Sequence, residues 1–462
     1  MSWSRRSLLA SLALAPACAR TPPFPSTSDQ FSLRLPKLTK IEIGGAELYF
    51  APDPGVPLVA MTVALRAGHG LERPAEVGAT ALLEWVLREH VDELADQQGA
   101  LASVWVDREL LAIRARTERP RAGALLRSLI DRLRVPSCTP AQLERALHAS
   151  RLTLDLVAGE HEDLAGLALV HGMLAARPAS EALGLGSRTS LVAAARERAA
   201  SWWAEHARLD RLVVVLAGAL DEREADAWFE AALASWPTPR GPGRGLLDVA
   251  AEPGRPTRVA FERAHATGLV ALARMRGPFG ASSELERVVE EFTWSDVDAR
   301  LRARLRLSYG ASPLERATRH GTLDQVSWVV APDEVGSAAA ELSEVLAMQR
   351  EPWRPSTSGS ERVRRAAMTR FMAGFQGLDA LRTRLERLAV HRAALDVYER
   401  QLDTLRRLDA EQLALAARAS ARAPRGLALL GDTAALLAAE REIGDVERVA
   451  LDALTGQPAS AP

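Results

Sequence analysis

The chain has 462 residues, more than one ordinary core accommodates, and at 47% hydrophobic and 25% charged it is neither disordered nor fibrous. A formal net charge of -1 leaves no basic excess for nucleic acid and no acidic block for a basic partner. The two cysteines, Cys18 and Cys138, exclude a disulfide framework, and past the leader no stretch is long and uncharged enough to span a bilayer.

Residues 1–18 read as an export signal rather than as fold. Ser4-Arg5-Arg6-Ser7-Leu8-Leu9 has a twin-arginine look, an apolar run follows through Leu14, and Ala15-Pro16-Ala17 makes a small-residue exit before Cys18. A cysteine at that place predicts lipidation of Cys18, although Ala15 and Pro16 depart from the usual box; the plainer alternative is simple cleavage nearby. Acylation would hold the protein on a membrane surface in the periplasm, with the Pro-, Thr- and Ser-rich residues 19–37 as a tether.

A first domain is expected over 38–236. Ile41–Ile43 and Glu47–Phe50 flank Gly44-Gly45 as a hairpin, and Val59–Leu65 is a strand. Gly78 then precedes Ala81, Leu82, Trp85 and Val86 at helical spacing. Strands at Ala102–Val106 and Leu110–Ile113 and a helix at Ala122–Leu133 come next. Thr139-Pro140-Ala141-Gln142 opens another helix with a capping box and a first-turn proline. Helices are read at Asp163–Ala175 and Leu191–His206, a buried strand at Arg211–Leu216 ending on Gly218, and a helix at Glu222–Trp236.

Residues 237–256, opening Pro237-Thr238-Pro239 and rich in Gly, read as a linker. The order then restarts over 257–452. Strands are expected at Val259–Glu262, Gly268–Arg274, Ser308–Ala311 and Gln325–Val330, with helices at Glu284–Phe292 and Glu334–Gln349. Two further helices cover Glu361–Gly374 and Leu378–Leu408, the second broken near His391. Gly426–Leu430 closes the half at Gly431-Asp432, as the first half closed at Gly218. Residues 453–462 read as a disordered tail. Strands alternate with paired long helices, so the class is α+β: two related halves, each a mostly antiparallel sheet backed by helices.

The stretch Gly78 to Trp85 resembles one zinc-peptidase helix. In the insulinase, pitrilysin and mitochondrial processing peptidase family, a glycine precedes an inverted motif, His-x-x-Glu-His. This chain reads Ala81-Leu82-Leu83-Glu84-Trp85 there, keeping the glutamate and neither histidine. The resemblance covers about Lys40 to Leu451 and implies a clamshell around a chamber for unfolded peptides. In the family, two imidazoles one turn apart bind zinc, the glutamate between them is the general base, and a later glutamate is the third ligand. Glu160 matches that ligand, with Glu162 as a nearby alternative. An alanine carries no donor atom and an indole nitrogen only donates, so no metal, no cofactor and no autonomous catalysis are expected. His90, His161 and His171 offer no ligand pair one turn apart to rebuild the site.

The second half contains Asp298 to Gly310, similar to a family stretch in which an arginine and a tyrosine hold the substrate backbone. Arg302 and Tyr309 match that pair, and both side chains can donate to a peptide carbonyl. The resemblance implies a pseudoenzyme, an envelope protein pairing as a heterodimer with a zinc-bearing subunit and binding unfolded peptide. It would touch the membrane through its lipid alone. The rival reading is a peptide-binding or scaffold protein of the envelope without proteolysis. Leu183-Gly184-Leu185-Gly186-Ser187 is read as a loop and Cys138 as an inert small residue.

Overall fold

The computed structural model describes residues 35–134, 138–174, 178–192, 195–236, 256–263, 267–304, 308–318, 321–348 and 357–456. The expected signal, Cys18, most of the tether and nearly all of the linker lie outside them. Residues from Pro36 onward form one compact unit.

The first half runs β1 (Thr39–Ile43), β2 (Ala46–Pro52), β3 (Leu58–Leu65), α1 (Ala79–Gln98), β4 (Leu101–Val106), β5 (Leu111–Glu118), α2 (Arg119–Arg134), α3 (Pro140–Gly159), α4 (His161–Leu174), α5 (Ala195–His206), β6 (Leu212–Gly218) and α6 (Glu222–Leu233). The second runs β7 (Thr257–Glu262), β8 (Gly268–Arg276), α7 (Ser283–Asp298), β9 (Ser308–Thr318), β10 (Gly321–Val330), α8 (Val335–Met348), α9 (Thr357–Ala373), α10 (Leu378–His391), α11 (Val397–Arg407), α12 (Ala410–Arg422), β11 (Arg425–Gly431), α13 (Thr433–Ile443) and β12 (Glu447–Val449).

The strands make two six-stranded sheets, ordered β1-β2-β6-β3-β5-β4 and β12-β7-β11-β8-β10-β9. Five strands of one correspond in order to five of the other, β2-β6-β3-β5-β4 to β7-β11-β8-β10-β9, which is the internal repeat. Most neighbours are antiparallel. The exceptions are β2 beside β6, β7 beside β11, and β12 beside β7. The sheets are α+β layers, as the sequence predicts.

Local chemistry explains most element bounds. The hairpin turns on Gly44 and Gly45, both at positive φ, and pairs Ile43 with Ala46. Thr139 accepts from the Gln142 N–H while the Gln142 side chain returns to Thr139, the expected capping box. The helix break falls at His391, where Arg392 takes a left-handed conformation. Strand β9 runs on through Pro313, because it is the outer strand of its sheet and a missing N–H costs little there. Strand β10 begins at Gly321, ahead of the expected Gln325, because the buried polar Asp324 is satisfied by Arg276 at 2.6 and 3.0 Å. Helices α12 and α13 add to the elements expected from the sequence, and Asp409 and Asp432 cap them. Leu451–Thr455 is a helical turn that runs on into the stretch expected to be tail, 453–462, with Leu454 and Thr455 buried.

Each sheet covers one face with its own helices and the other with a helix from the opposite half. Val59, Met61, Val63 and Leu65 of β3 point into the core with α1, α2, α3, α5 and α6. The small residues between them, Ala60, Thr62 and Ala64, leave room for α10 on the other face. Reciprocally, α4 lies across β7, β11 and β8 of the second sheet, while α7, α8 and α13 cover the opposite face. Past its polar first turn, helix α4 is buried on every side from Leu164 to Met173, with His171 the one polar side chain in that run. A helix with no polar face belongs between layers.

Candidate functional site

Helix α1 starts at Gly78, whose φ of 88° only glycine adopts readily. The Glu72 carboxylate caps that end, accepting from the N–H of Gly78 at 3.2 Å and of Thr80 at 2.7 Å, and burial pushes its carboxyl up to about 7. The helix then lies beside the edge strand β4. Ala81 is buried, its carbonyl accepting from Ser150 Oγ of α3 at 3.3 Å. Trp85 packs against the core, and the Arg88 guanidinium lies over its ring at 4.6 Å. Arg88 also pairs with Glu84 at 2.6 Å. Burial raises the Glu84 carboxyl, and Arg88 opposes this without reversing it. The place between Ala81, Glu84 and Trp85 is therefore closed by an aromatic ring and an ion pair.

Glu160 is the C-cap of α3 and is exposed, followed by Glu162 in the first turn of α4. Its charge acts on Asp163, whereas burial and Arg88 are what act on Glu84. Among the described residues, no three His, Cys, Asp or Glu side chains gather as a metal site. His90 meets Gln142 of the capping box at 2.6 Å, tying α1 to α3. His171 is buried on α4 against the second sheet, 3.7 Å from Glu447. Burial raises the Cys138 thiol to about 11.

The equivalent place in the second half lies between α7 and the edge strand β9. The chain leaves α7 through a π-helical turn, Ala299–Arg304, a widening often found where a helix serves a site. Arg302 sits on it and lines an open cavity of about 670 Å³ with Trp294, Ser295, Gly310 and Pro313. Its side chain is 59% exposed, and its one ion pair among the described residues is a long one, to Asp298 at 3.5 Å. The other arginine lining this cavity is committed: Arg287 pairs with Glu284 and Glu291. Tyr309 lies in β9 two residues before Ala311, and its side chain is outside the described residues. Arg302 is thus the loosely held cation of the site.

No protein-family model matches the sequence, and no curated protein does. Solved structures match the fold over most of its length. The chain aligns with a peptidase M16 inactive domain from Pseudomonas fluorescens at a TM-score of 0.73 and 13% identity, covering 86% of this chain and 98% of that one. A protease from Helicobacter pylori aligns at 0.74 and 9% identity, covering 86% and 100%. The fold is that of the M16 peptidases. The periplasmic protease PqqL of Escherichia coli aligns at 0.67 and 13% identity over 90% of this chain but only 51% of that one. One chain of this M16 fold therefore spans about half the length of PqqL. Among the described residues no helix is long and apolar enough to cross a membrane.

Sequence reasoning missed what joins the two halves of the M16 fold. Glu386 of α10 receives both arms of Arg114, at 2.8 and 3.0 Å, together with Arg382 and the Thr62 hydroxyl. A signal was present: Arg382 and Glu386 stand one turn apart on the same stripe as Leu378, Leu381, Leu385 and Leu388. Two charges inside an apolar stripe require a polar surface opposite.

Proposed function

We propose that this chain is a non-catalytic insulinase-like homologue serving as the substrate-binding partner of a zinc-bearing subunit in the cell envelope. The observation that carries the reading is the occupied centre on α1. Where the family's motif would require two imidazoles stand Ala81 and Trp85, and the carboxylate that would activate water is paired with Arg88. The partner role is supported by Arg302, an exposed guanidinium over an open cavity, and by the half-length match to a periplasmic protease. In this reading Arg302 and Tyr309 donate to the carbonyls of an extended peptide, while the partner supplies metal and base. The envelope setting, with Cys18 as the lipid anchor, is supported by the leader's sequence.

The test is co-purification with the product of a neighbouring gene carrying intact His-x-x-Glu-His, followed by peptide cleavage. The expected result is cleavage by the pair, with Arg302→Ala lowering kcat/KM about tenfold or more while the complex stays intact. A mixture that cleaves no better than the zinc subunit alone overturns the partner role and leaves a peptide-binding scaffold. Cleavage by this chain alone, with stoichiometric zinc, overturns the whole reading. Membrane fractions of a Cys18→Ser strain, expected to lose the protein, check the anchor.

A further inference from the structure

A second cavity, of about 470 Å³, opens between the two halves; it adjoins the first at Leu314 and Glu315, and neither Glu84 nor Arg302 lines it. Its size falls within the roughly 300–1,000 Å³ usual for small-molecule pockets. One side is apolar: Val170 and Leu174 of α4, Met275 of β8 and Leu323 of β10. The other carries charge from both halves. Arg108 enters from the turn between β4 and β5, and Arg316 from β9, pointing along α4 towards the bare backbone of Gly166.

The charges divide into committed and uncommitted groups. Glu386 is saturated by Arg114, Arg382 and Thr62. Glu315 accepts from Arg387 at 3.0 and 3.1 Å and from Arg276 at 3.2 Å. Asp107 turns inward, its Oδ1 accepting from the N–H groups of Glu109 and Leu110 at 2.7 and 2.6 Å. Arg108 and Arg316 have no side-chain hydrogen bond or ion pair among the described residues, and Asp163 acts on Arg316 only from beyond contact. The buried Nε of Arg316 and the indole N–H of Trp105, which also lines the cavity, have no acceptor. These unused atoms are donors only. His69 stands among them, with the Gly184 backbone lying against its ring. Burial, then Arg108 and Arg316, lower its pKa to about 3, so it adds no charge of its own.

An apolar wall facing two unpaired guanidiniums and a free indole N–H lacks an acceptor with an apolar body. We propose that this cavity binds an organic monocarboxylate, its head group held by Arg108 and Arg316 and its body lying against Val170, Leu174, Met275 and Leu323. Two planar forks suit the two oxygens of a carboxylate. The apolar wall excludes small inorganic anions as the preferred ligand. Such a carboxylate comes from the C-terminus of an apolar peptide or from a fatty acid. The inference does not depend on the partner role, since neither Arg302 nor the α1 centre takes part.

Calorimetric titration of the purified chain with decanoate, with an acetylated Leu-Leu-Val peptide and with the amide of that peptide tests it. Saturable binding of decanoate, of the free-acid peptide or of both is expected, and which of them binds identifies the source. The amide is expected to bind about tenfold more weakly than the acid. Arg108→Ala and Arg316→Ala each lower affinity about tenfold and together abolish it, Arg316→Lys restores part, and the exposed Arg145→Ala changes nothing. Where an alanine variant loses its fold, Arg108→Gln and Arg316→Gln replace it. A second readout is the His69 imidazole resonance, whose titration should move to higher pH when the carboxylate neutralises its two neighbours. No saturable binding of either acid, equal binding of acid and amide, or binding indifferent to both arginines overturns the proposal.

Discussion

Helix α4 and helix α10 hold corresponding places in the two halves, and each leaves its own half to cover the other sheet. They do so with opposite chemistry. Under α4, Leu167, Leu169, Val170 and Met173 meet Val259, Phe261, Leu269 and Leu430, and the backbones approach closely enough that a Cβ on Gly172 would stand 2.8 Å from Val259 Cγ1. Under α10, Glu386 and Arg382 meet Thr62 and Arg114, and Arg66 donates to the Ala389 carbonyl at 3.0 Å. The apolar contact draws on buried area and has no directional bonds. The ionic contact fixes one position, because each displaced partner becomes a buried charge without a neighbour. One topology has thus been closed twice, once by adhesion and once by registry.

The largest expected effect comes from breaking the ionic side at its centre. Glu386→Ala strands Arg382 in a buried site and should cost about 3–5 kcal/mol, read as a lowered urea midpoint. Leu169→Ala on the apolar side removes a fully buried side chain and should cost about 2–4 kcal/mol in the same measurement. Should Leu169→Ala prove the costlier, the ionic contact is an accessory rather than the lock. Acid gives the smallest and most selective change. Burial raises the Glu47 carboxyl, but the Arg66 guanidinium and Lys40 ammonium outweigh it and hold it below its usual range. A carboxylate so depressed contributes stability above its unfolded pKa and loses it as pH falls through the lower folded value. Stability should therefore drop below the ordinary carboxylate range, and Glu47→Gln should flatten that drop while leaving Leu169→Ala variants as acid-sensitive as the parent.

Much of this protein is legible where a property depends on neighbours in sequence. The hairpin at Gly44-Gly45, the capping box at Thr139 and the break at His391 are dictated by turn conformation and by side chains reaching three residues along. That Ala81 and Trp85 carry no metal-binding atom is likewise plain in the sequence, since side-chain composition needs no coordinates. Strand lengths were less legible. Pro313 and Asp324 look like interruptions until β9 is seen to be an edge and Arg276 to lie opposite Asp324.

The sequence by itself determined the α+β class, the repeat of two halves and the absence of a ligating atom at Ala81 and Trp85, because each is written in local pattern or in the atoms a side chain carries. Only the tertiary structure decided that Arg88 occupies Glu84, that α4 and α10 change places, and that Arg108 and Arg316 face one cavity without partners among the described residues. Those pairings join residues far apart in the chain. Burial strengthens each charge, so the fold, by removing water, makes the difference between a satisfied arginine and a waiting one.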